Sequence, residues 1–476
     1  MTKPDLSGRR VCVTGIGVSG MAVVHALRDH GARITVIDAR DDATTRQRAV
    51  ELRSAGVSVT LGSPTGTCHL PPDTQLVVTS PGWPPESPVF QEAAAADIPV
   101  VGDVELAWWL RPRGQQWLAV TGTNGKTTVV RMVEAMLRAD GQRAQAVGNV
   151  GLPVVTAVGG TEPPHDVLAV ELSSFQLHWS TSVAPYAAVV LNVAADHVDW
   201  HGDMAAYARA KGKIYGPGTV RVVNRADNTS QELALRQGDP STPLVGITND
   251  EPRPGELGVV DGALVDRAFD GGAPTSGQGI VLAPVTEIRP AAAHNVSNAL
   301  AAAALARSVG VRPESVRQGL ADFTPEPHRI NEVATVDGVR YVDDSKATNP
   351  HAAAASLAAY RAPVWIAGGL LKGADVEGLV AEAATRVRAV VLLGADRAQL
   401  RSALRRHAPD LPVVEVERVD DRAMDEVVSA AASLATAHDA DTVLLAPAAA
   451  SMDMYSDYTA RGAAFVAAVH RRVPTG

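Results

Sequence analysis

Six lysines stand among 43 basic residues: Lys3, Lys126, Lys211, Lys213, Lys346 and Lys372, against 37 arginines. A chain that places its ordinary charge on Arg keeps Lys for spots that need a compact ammonium or a free amine. The guanidinium is a fork that does not deprotonate in proteins. Lys126 lies in Thr121-Gly-Thr-Asn-Gly-Lys-Thr-Thr128, between the apolar run Trp117–Val120 and a helical pattern from Val129 to Ala139. Strand, glycine-rich turn and helix make a phosphate-binding loop. Backbone N–H groups and the helix N-terminus surround phosphates, a Lys meets the β/γ oxygens, and a hydroxyl faces Mg²⁺. Val120 stands where the usual first Gly of such a loop would be. ATP is the expected ligand.

A second apolar run, Val167–Val170, ends in Glu171-Leu-Ser-Ser174, which places a carboxylate where it could hold Mg²⁺ directly or through water. A third, Ala187–Leu191, ends in Asn192 and leads to Asp196-His197. His197 and His201 are four apart, but Gly202 and the flanking residues argue against a regular helix, and no Glu base lies between them. Zinc is not expected. Fourteen residues after His197, Lys211 falls on a predicted helix, where position alone gives a solvated basic face. Nearer the N-terminus, Arg10–Thr14 reads as a strand, followed by Gly15-Ile-Gly17-Val-Ser-Gly20, a helix from Met21 to His30 and the strand Ile34–Ile37 ending in Asp38. This is a diphosphate-type turn with an acid 18 residues beyond its last glycine, open to a dinucleotide or to a purely structural reading.

These motifs need α/β units to position them. The 476 residues correspond to about three domains, with 46% apolar and 20% charged residues, a globular composition. Net charge is −9 and no basic groove is apparent, so nucleic acid is not the expected partner. Met1 to Arg10 is polar and the longest Ala-rich run, 299–306, is far short of a membrane span, so neither leader nor membrane is expected. Two cysteines, Cys12 and Cys68, fit a reducing, cytoplasmic compartment. The stretch Arg111–Gln116 reads as a connector, and residues 220–290 are rich in Gly, Pro and Asp with few readable strands. Beyond Pro325 the composition resets. Val339–Val342 leads into Asp343-Asp-Ser-Lys-Ala-Thr-Asn349, Val364–Ala367 into Gly368-Gly-Leu-Leu-Lys-Gly373, and Thr442–Leu445 into Ala446-Pro-Ala-Ala-Ala-Ser451. That alternation predicts a third parallel sheet with helices on both faces.

The combination resembles the Mur ligases, the ATP-dependent amino-acid ligases of peptidoglycan synthesis. Gly122–Thr128, Glu171–Ser174, Asn192 with Asp196-His197, and His294-Asn-Val-Ser-Asn298 are similar to the family's core motifs. Asp343–Asn349, with Pro447–Ser451, Tyr458 and Arg461-Gly462, is similar to the pattern of its D-glutamate-adding branch. The resemblance implies a Rossmann-like nucleotide-sugar domain over 1–104, a P-loop-type ATPase domain over 105–326 and a Rossmann-like C-terminal domain over 327–476. It also implies ligation of D-glutamate to UDP-N-acetylmuramoyl-L-alanine through an acyl phosphate, by a cytoplasmic monomer. The glycine turn is thereby reassigned from NAD to a uridine nucleotide sugar, with Val18, Ser19, Arg40 and Asn149 as contacts.

ATP would be held between domains two and three by Gly122, Thr123, Asn124, Gly125, Lys126, Thr127, Thr128, Asn295, Asn298, Arg329 and Asp344. One Mg²⁺ would sit on Thr127 and Glu171, and a second on His197 and an N6-carboxylated Lys211. Lys126, His197, Lys211 and Lys346 are the implied catalytic residues, and Thr348, Lys372, Ser451 and Tyr458 the implied D-glutamate pocket. At Tyr458 the family commonly has Phe. A ligase on the same scaffold that adds L-glutamate or another residue is the nearest rival. A folate ligase, a non-catalytic nucleotide sensor and a dehydrogenase with an accessory ATPase each leave more of these motifs unexplained.

Overall fold

A computed structural model describes residues 4–62, 68–149, 151–159, 163–269, 279–290, 292–420 and 422–473; Lys3 lies outside them. The first sheet is built from β1 (Arg10–Thr14), β2 (Arg33–Asp38), β3 (Ser58–Leu61), β4 (Leu76–Thr79) and β5 (Val100–Gly102). Their order is β3-β2-β1-β4-β5, all parallel. Successive strands wind outward on both sides of β1, so the turn after β1 lies where strand order reverses and α/β sheets bind ligands.

The second sheet has nine strands. β6 (Gln116–Thr121), β7 (Ala144–Gly148), β8 (Val167–Glu171), β9 (Ala187–Val190), β10 (Val220–Asn224), β11 (Leu244–Ile247), β12 (Glu256–Val260), β13 (Ala263–Asp266) and β14 (Ile280–Pro284) run in the order β14-β13-β12-β11-β10-β9-β6-β8-β7. β6 sits between β8 and β9, which brings the ends of Gln116–Thr121, Val167–Glu171 and Ala187–Val190 together. The described residues of 220–290 therefore hold five strands where the sequence shows few. They are four or five residues long, too short for a period to show, and β12, β13 and β14 form an antiparallel meander with Val281 turned to solvent. The helix Asp103–Leu110 runs across the expected boundary at 104/105, between the end of the first sheet and the start of the second.

The third sheet contains β15 (Asn331–Val336), β16 (Val339–Asp343), β17 (Pro363–Gly368), β18 (Ala389–Leu393), β19 (Val413–Glu415) and β20 (Thr442–Leu445) in the order β15-β16-β20-β17-β18-β19. Five strands are parallel as expected, and β15 is an antiparallel edge joined to β16 through Asp337-Gly338, both with positive φ. Such a turn matches the twist of a hairpin. Because β16, β20 and β17 are neighbours, the loops that follow them lie side by side. By contact the chain divides into two compact units, one holding the first two sheets and the other mainly 324–476 with two short segments, 194–196 and 289–295. Among the described residues, no helix is long and apolar enough to cross a membrane.

Candidate functional site

The turn after β1 is tightly built. Gly15 has φ +88°, and a Cβ there would lie 2.9 Å from both Ser80 Oγ and Trp83 Nε1. A Cβ on Gly20 would lie 1.9 Å from Gly15 O, so the helix Val18–Asp29 can start against the turn only with glycine there. Asp38, buried at the end of β2, accepts from Ile16 N–H at 2.8 Å and pairs with Arg40 at 3.2 Å. The Asp38 hydrogen bonds raise the Arg40 pKa above its ordinary value. Val18 is 65% exposed, and the Ser19 N–H opens the same helix. This surface offers backbone donors, one paired guanidinium and an apolar contact, a fit for a diphosphate and a base.

The loop after β6 is held from three sides. Asn192, at the end of β9, accepts Thr123 N–H on its carbonyl (2.9 Å) and Asn124 N–H on its side chain (2.9 Å), while its amide donates to Asn124 O. Gly125 has φ +86°, and a Cβ there would come within 2.5 Å of Asn298 Oδ1, so the helix Ala293–Ser308 brings Asn298 to the loop. Lys126 Nζ donates to Gly122 O and Thr123 O, both at 2.9 Å, folding the ammonium over the loop's own carbonyls. Its helix, Lys126–Ala139, buries Val129, Val130, Val133 and Met136 as an apolar face. Thr128 takes the third position of that helix. Asn295 is buried, with its amide on Arg289 O and Pro290 O.

Glu171 is buried at the end of β8 and receives two side chains. Thr127 Oγ1 donates to Oε2 at 2.9 Å, and Asn149 Nδ2 donates to Oε1 at 3.0 Å. Gly148 makes this possible, since a Cβ there would lie 2.2 Å from Glu171 O. Asn149, assigned by resemblance to the substrate, here orients the carboxylate. A hydroxyl and a carboxylate are hard oxygen donors of the kind Mg²⁺ takes alongside phosphate oxygens and water, so this pair fits that ion.

Lys211 is not on a solvated face. It is 2% exposed, on the helix Met204–Gly212, where Nζ donates to Gly122 O at 2.9 Å and lies 4.5 Å from the Tyr207 ring centre. Two ammonium groups, Lys126 and Lys211, thus converge on one carbonyl oxygen. Tyr207, one helical turn earlier on the same face, ties the helix to the phosphate loop through Thr123 Oγ1 at 3.1 Å. The spacing of four from Lys211 was the signal for it. His197 has φ +52° and precedes the single turn Val198–His201. Its ring packs on Phe175 (4.8 Å), which stacks on His201 (5.6 Å), which in turn meets Tyr207 (5.3 Å). His201 faces Ser174 Oγ at 3.0 Å. Among the described residues, no three His, Cys, Asp or Glu side chains form a metal cluster.

In the second unit the loop after β16 is anchored by buried polar side chains. Asp343 pairs with His328 at 2.6 Å, and a Cβ on Gly462 would strike the His328 ring, so Gly462 lets the helix Tyr458–His470 seat against that pair. Asp344 is buried, bonded by Ser356 Oγ and Ile330 N–H; burial pushes its pKa up to about 6 and nearby Arg329 pulls it down. Arg461, 1% exposed, donates from Nε to Ser345 Oγ (3.0 Å), from Nη2 to Ser345 O (2.9 Å) and from Nη1 to Ala449 O (3.0 Å). Lys346 Nζ sits 3.8 Å from the Tyr458 ring centre, a cation–π contact. Lys346 and Thr348 follow β16, Lys372 (φ +52°) follows β17, and buried Ser451 follows β20. The sequence motifs include Arg461 and Asn192 without giving either a role, and they do not include Tyr207. A lone Arg on an amphipathic helix carries no mark of burial.

Three family profiles match in order: "Mur ligase MurD-like, N-terminal domain" over 9–102, "Mur ligase middle domain" over 120–306 and "Mur ligase, glutamate ligase domain" over 328–449. The UDP-N-acetylmuramoylalanine–D-glutamate ligase of Thermobifida fusca is 64% identical over 97% of this chain and 98% of its own length. The chain belongs to the Mur ligase family. The protein of the same name from Streptomyces avermitilis is 53% identical over 97% and 98% of the two chains. Among solved structures, the UDP-N-acetylmuramate–alanine ligase of Thermotoga maritima superposes with a TM-score of 0.57 at 18% identity, covering 97% of this Mur ligase and 99% of that chain. The pseudomurein peptide ligase type C of Methanothermus fervidus gives 0.56 at 16%, over 97% and 99%. At such identities these two bear on the fold of this Mur ligase alone.

Proposed function

We propose that this Mur ligase joins D-glutamate to the L-alanine carboxylate of UDP-N-acetylmuramoyl-L-alanine, with ATP cleaved to ADP and phosphate, as a cytoplasmic monomer. End-to-end identity of 64% to a D-glutamate-adding ligase carries the reading. The substrate carboxylate attacks the γ-phosphorus, ADP leaves, and an acyl phosphate results. The D-glutamate amine attacks the acyl carbon, loses a proton, and phosphate departs. The loop N–H groups of Gly122–Gly125 cradle the phosphates, with Lys126 turning from its own carbonyls to the transferring group. Thr127 and Glu171 would hold one Mg²⁺, and His197 and Lys211 a second, the ions supplying charge neutralisation on the phosphates.

Lys211 is read as a carbamate. A neutral amine adds CO₂ with loss of a proton, which replaces one of two converging cations by an oxygen donor. Asn295, Asn298, Arg329 and Asp344 complete the ATP assignment by motif. Lys346 serves the phosphates, and Thr348, Lys372, Ser451 and Tyr458 take the two D-glutamate carboxylates through cations and hydroxyls. Val18, Ser19, Arg40 and Asn149 serve the nucleotide sugar.

Phosphate release with ATP, Mg²⁺ and UDP-N-acetylmuramoyl-L-alanine, offered D-glutamate, L-glutamate or D-aspartate, tests the whole reading. Release specific to D-glutamate is expected; release with L-glutamate alone would move the amino-acid assignment and leave the fold untouched. Lys126→Ala should lower turnover at least about 100-fold, the scale of losing one donor to a developing oxyanion. Its circular dichroism should stay that of the parent. Turnover within a few-fold of the parent would refute the role given to Lys126.

A further inference from the structure

The turn after β1 is strapped to the chain after β4. Thr14 and Thr79, paired in register at the ends of the two strands, share a hydroxyl hydrogen bond of 2.7 Å. Ser80 N–H donates to Thr14 O at 3.0 Å, and Ser80-Pro-Gly-Trp83 then folds back, with Trp83 N–H on Ser80 O at 3.3 Å. The Ser80 hydroxyl donates to Gly15 O at 3.4 Å. The Trp83 indole nitrogen borders the same glycine, 2.9 Å from where a Cβ would stand. Gly15 is what lets the indole in. On its other side the Trp83 ring meets Phe90, buried on the helix Pro88–Ala95, in an edge-to-face contact at 6.1 Å. The ring is thus held by Phe90 while its nitrogen lies at the turn.

Trp83 is partly buried, and among the described residues its indole N–H has no hydrogen-bond partner. An indole nitrogen donates and does not accept, so only an acceptor can satisfy it. Several donors beside it are already used. Gly15 N–H donates to Ile37 O and Ile16 N–H to Asp38. The two guanidiniums at the turn are committed as well, Arg40 to Asp38 and Arg48 to Ile16 O at 3.0 Å. We infer that Trp83 is a specificity-determining residue of the nucleotide-sugar site: its indole N–H donates to an oxygen of the diphosphate. The inference rests on the reading of the Gly15–Gly20 turn as the diphosphate cradle. A neutral N–H on an anionic oxygen makes a charge-assisted hydrogen bond, roughly twice as strong as a neutral one.

Trp83→Phe keeps an aromatic ring against Phe90 and removes only the donor. Calorimetric affinity for UDP-N-acetylmuramoyl-L-alanine should fall on the order of 10- to 100-fold, the range for losing one hydrogen bond to a charged group. KM for ATP and for D-glutamate should stay at the parent values. Uridine carries no diphosphate, and it should bind the parent and Trp83→Phe alike.

A magnetic-resonance readout tells a donor from a packing element. The chain has seven tryptophans, so isotope labelling of the indole nitrogens gives seven N–H resonances, and Trp83→Phe identifies one by its loss. Titrating the full parent chain with UDP should move that resonance downfield, and titrating with uridine should leave it in place. A resonance unmoved at saturating UDP would overturn the inference even if Trp83→Phe binds weakly, because an affinity loss alone fits packing. A resonance that uridine moves as far as UDP does would also overturn it, by putting the indole on the base. Val18→Asp separates this from the reading beneath it. It sets a carboxylate on an exposed position at the head of the turn's helix, where a bound diphosphate would be repelled. Parent-like affinity for UDP in Val18→Asp would remove the cradle itself, whereas weakened affinity there with an unmoved Trp83 resonance would remove only the role of Trp83.

Discussion

Lys211→Ala should abolish turnover, by at least about a thousandfold, and a short carboxylate such as acetate added to the variant should restore part of it. The loss follows from the place of Lys211. Its amine is buried beside the phosphate loop, 2.9 Å from Gly122 O, on a helix that Tyr207 fastens to Thr123. An ammonium there, next to that of Lys126, brings two cations onto the same Gly122 carbonyl oxygen in a desolvated loop. A carbamate would relieve this and offer Mg²⁺ an oxygen ligand. Acetate can occupy the cavity left by truncation and supply the missing oxygens, while Lys211→Arg, which keeps the charge and cannot add CO₂, should be inactive and beyond rescue. Parent activity should also fall when bicarbonate and CO₂ are stripped from the buffer. Near-normal turnover of Lys211→Ala without carboxylate would sink the carbamate.

Much of this was legible because phosphate chemistry constrains local sequence. The loop Thr121–Thr128 needs its glycines at fixed offsets, and the structure uses Gly125 at a φ that other residues resist. Strand ends carrying Glu171, Asn192 and Asp343 are visible as apolar runs that stop at a polar residue. What was not legible depends on tertiary contact. Lys211, between the exposed Arg209 and Lys213 of a basic-looking stretch, is itself buried because Tyr207 and the phosphate loop cover it. Asn149 sits on Glu171 because Gly148 removes a Cβ from between β7 and β8, a register fact. The strands of 220–290 depend on neighbours in the sheet more than on their own pattern.

Arg461→Lys should raise the KM for D-glutamate about a hundredfold while leaving calorimetric affinity for UDP-N-acetylmuramoyl-L-alanine unchanged. The reason is geometric. The guanidinium joins the loop after β16, through both the hydroxyl and the carbonyl of Ser345, to the loop after β20, through Ala449 O. Those loops hold Lys346, Thr348 and Ser451, and Ala450 is bonded in both directions to Leu370, just ahead of Lys372. Ser345 Oγ in turn donates to Tyr458 O at 2.8 Å. One side chain therefore sets the spacing of every residue assigned to D-glutamate without being placed in contact with it. Burial lowers its pKa to about 10, so the charge survives at neutral pH. A lysine keeps that charge but lacks the planar fork needed to reach two loops at once, and an error of about 1 Å in such a pocket costs on the order of 100-fold. Arg461→Ala would leave several carbonyls unpaired in the core and cost about 3–5 kcal/mol of stability, which thermal melting would register. The Lys variant is thus the sharper probe. A folded Arg461→Lys protein with a KM for D-glutamate within twofold of the parent would show that these loops hold their spacing unaided.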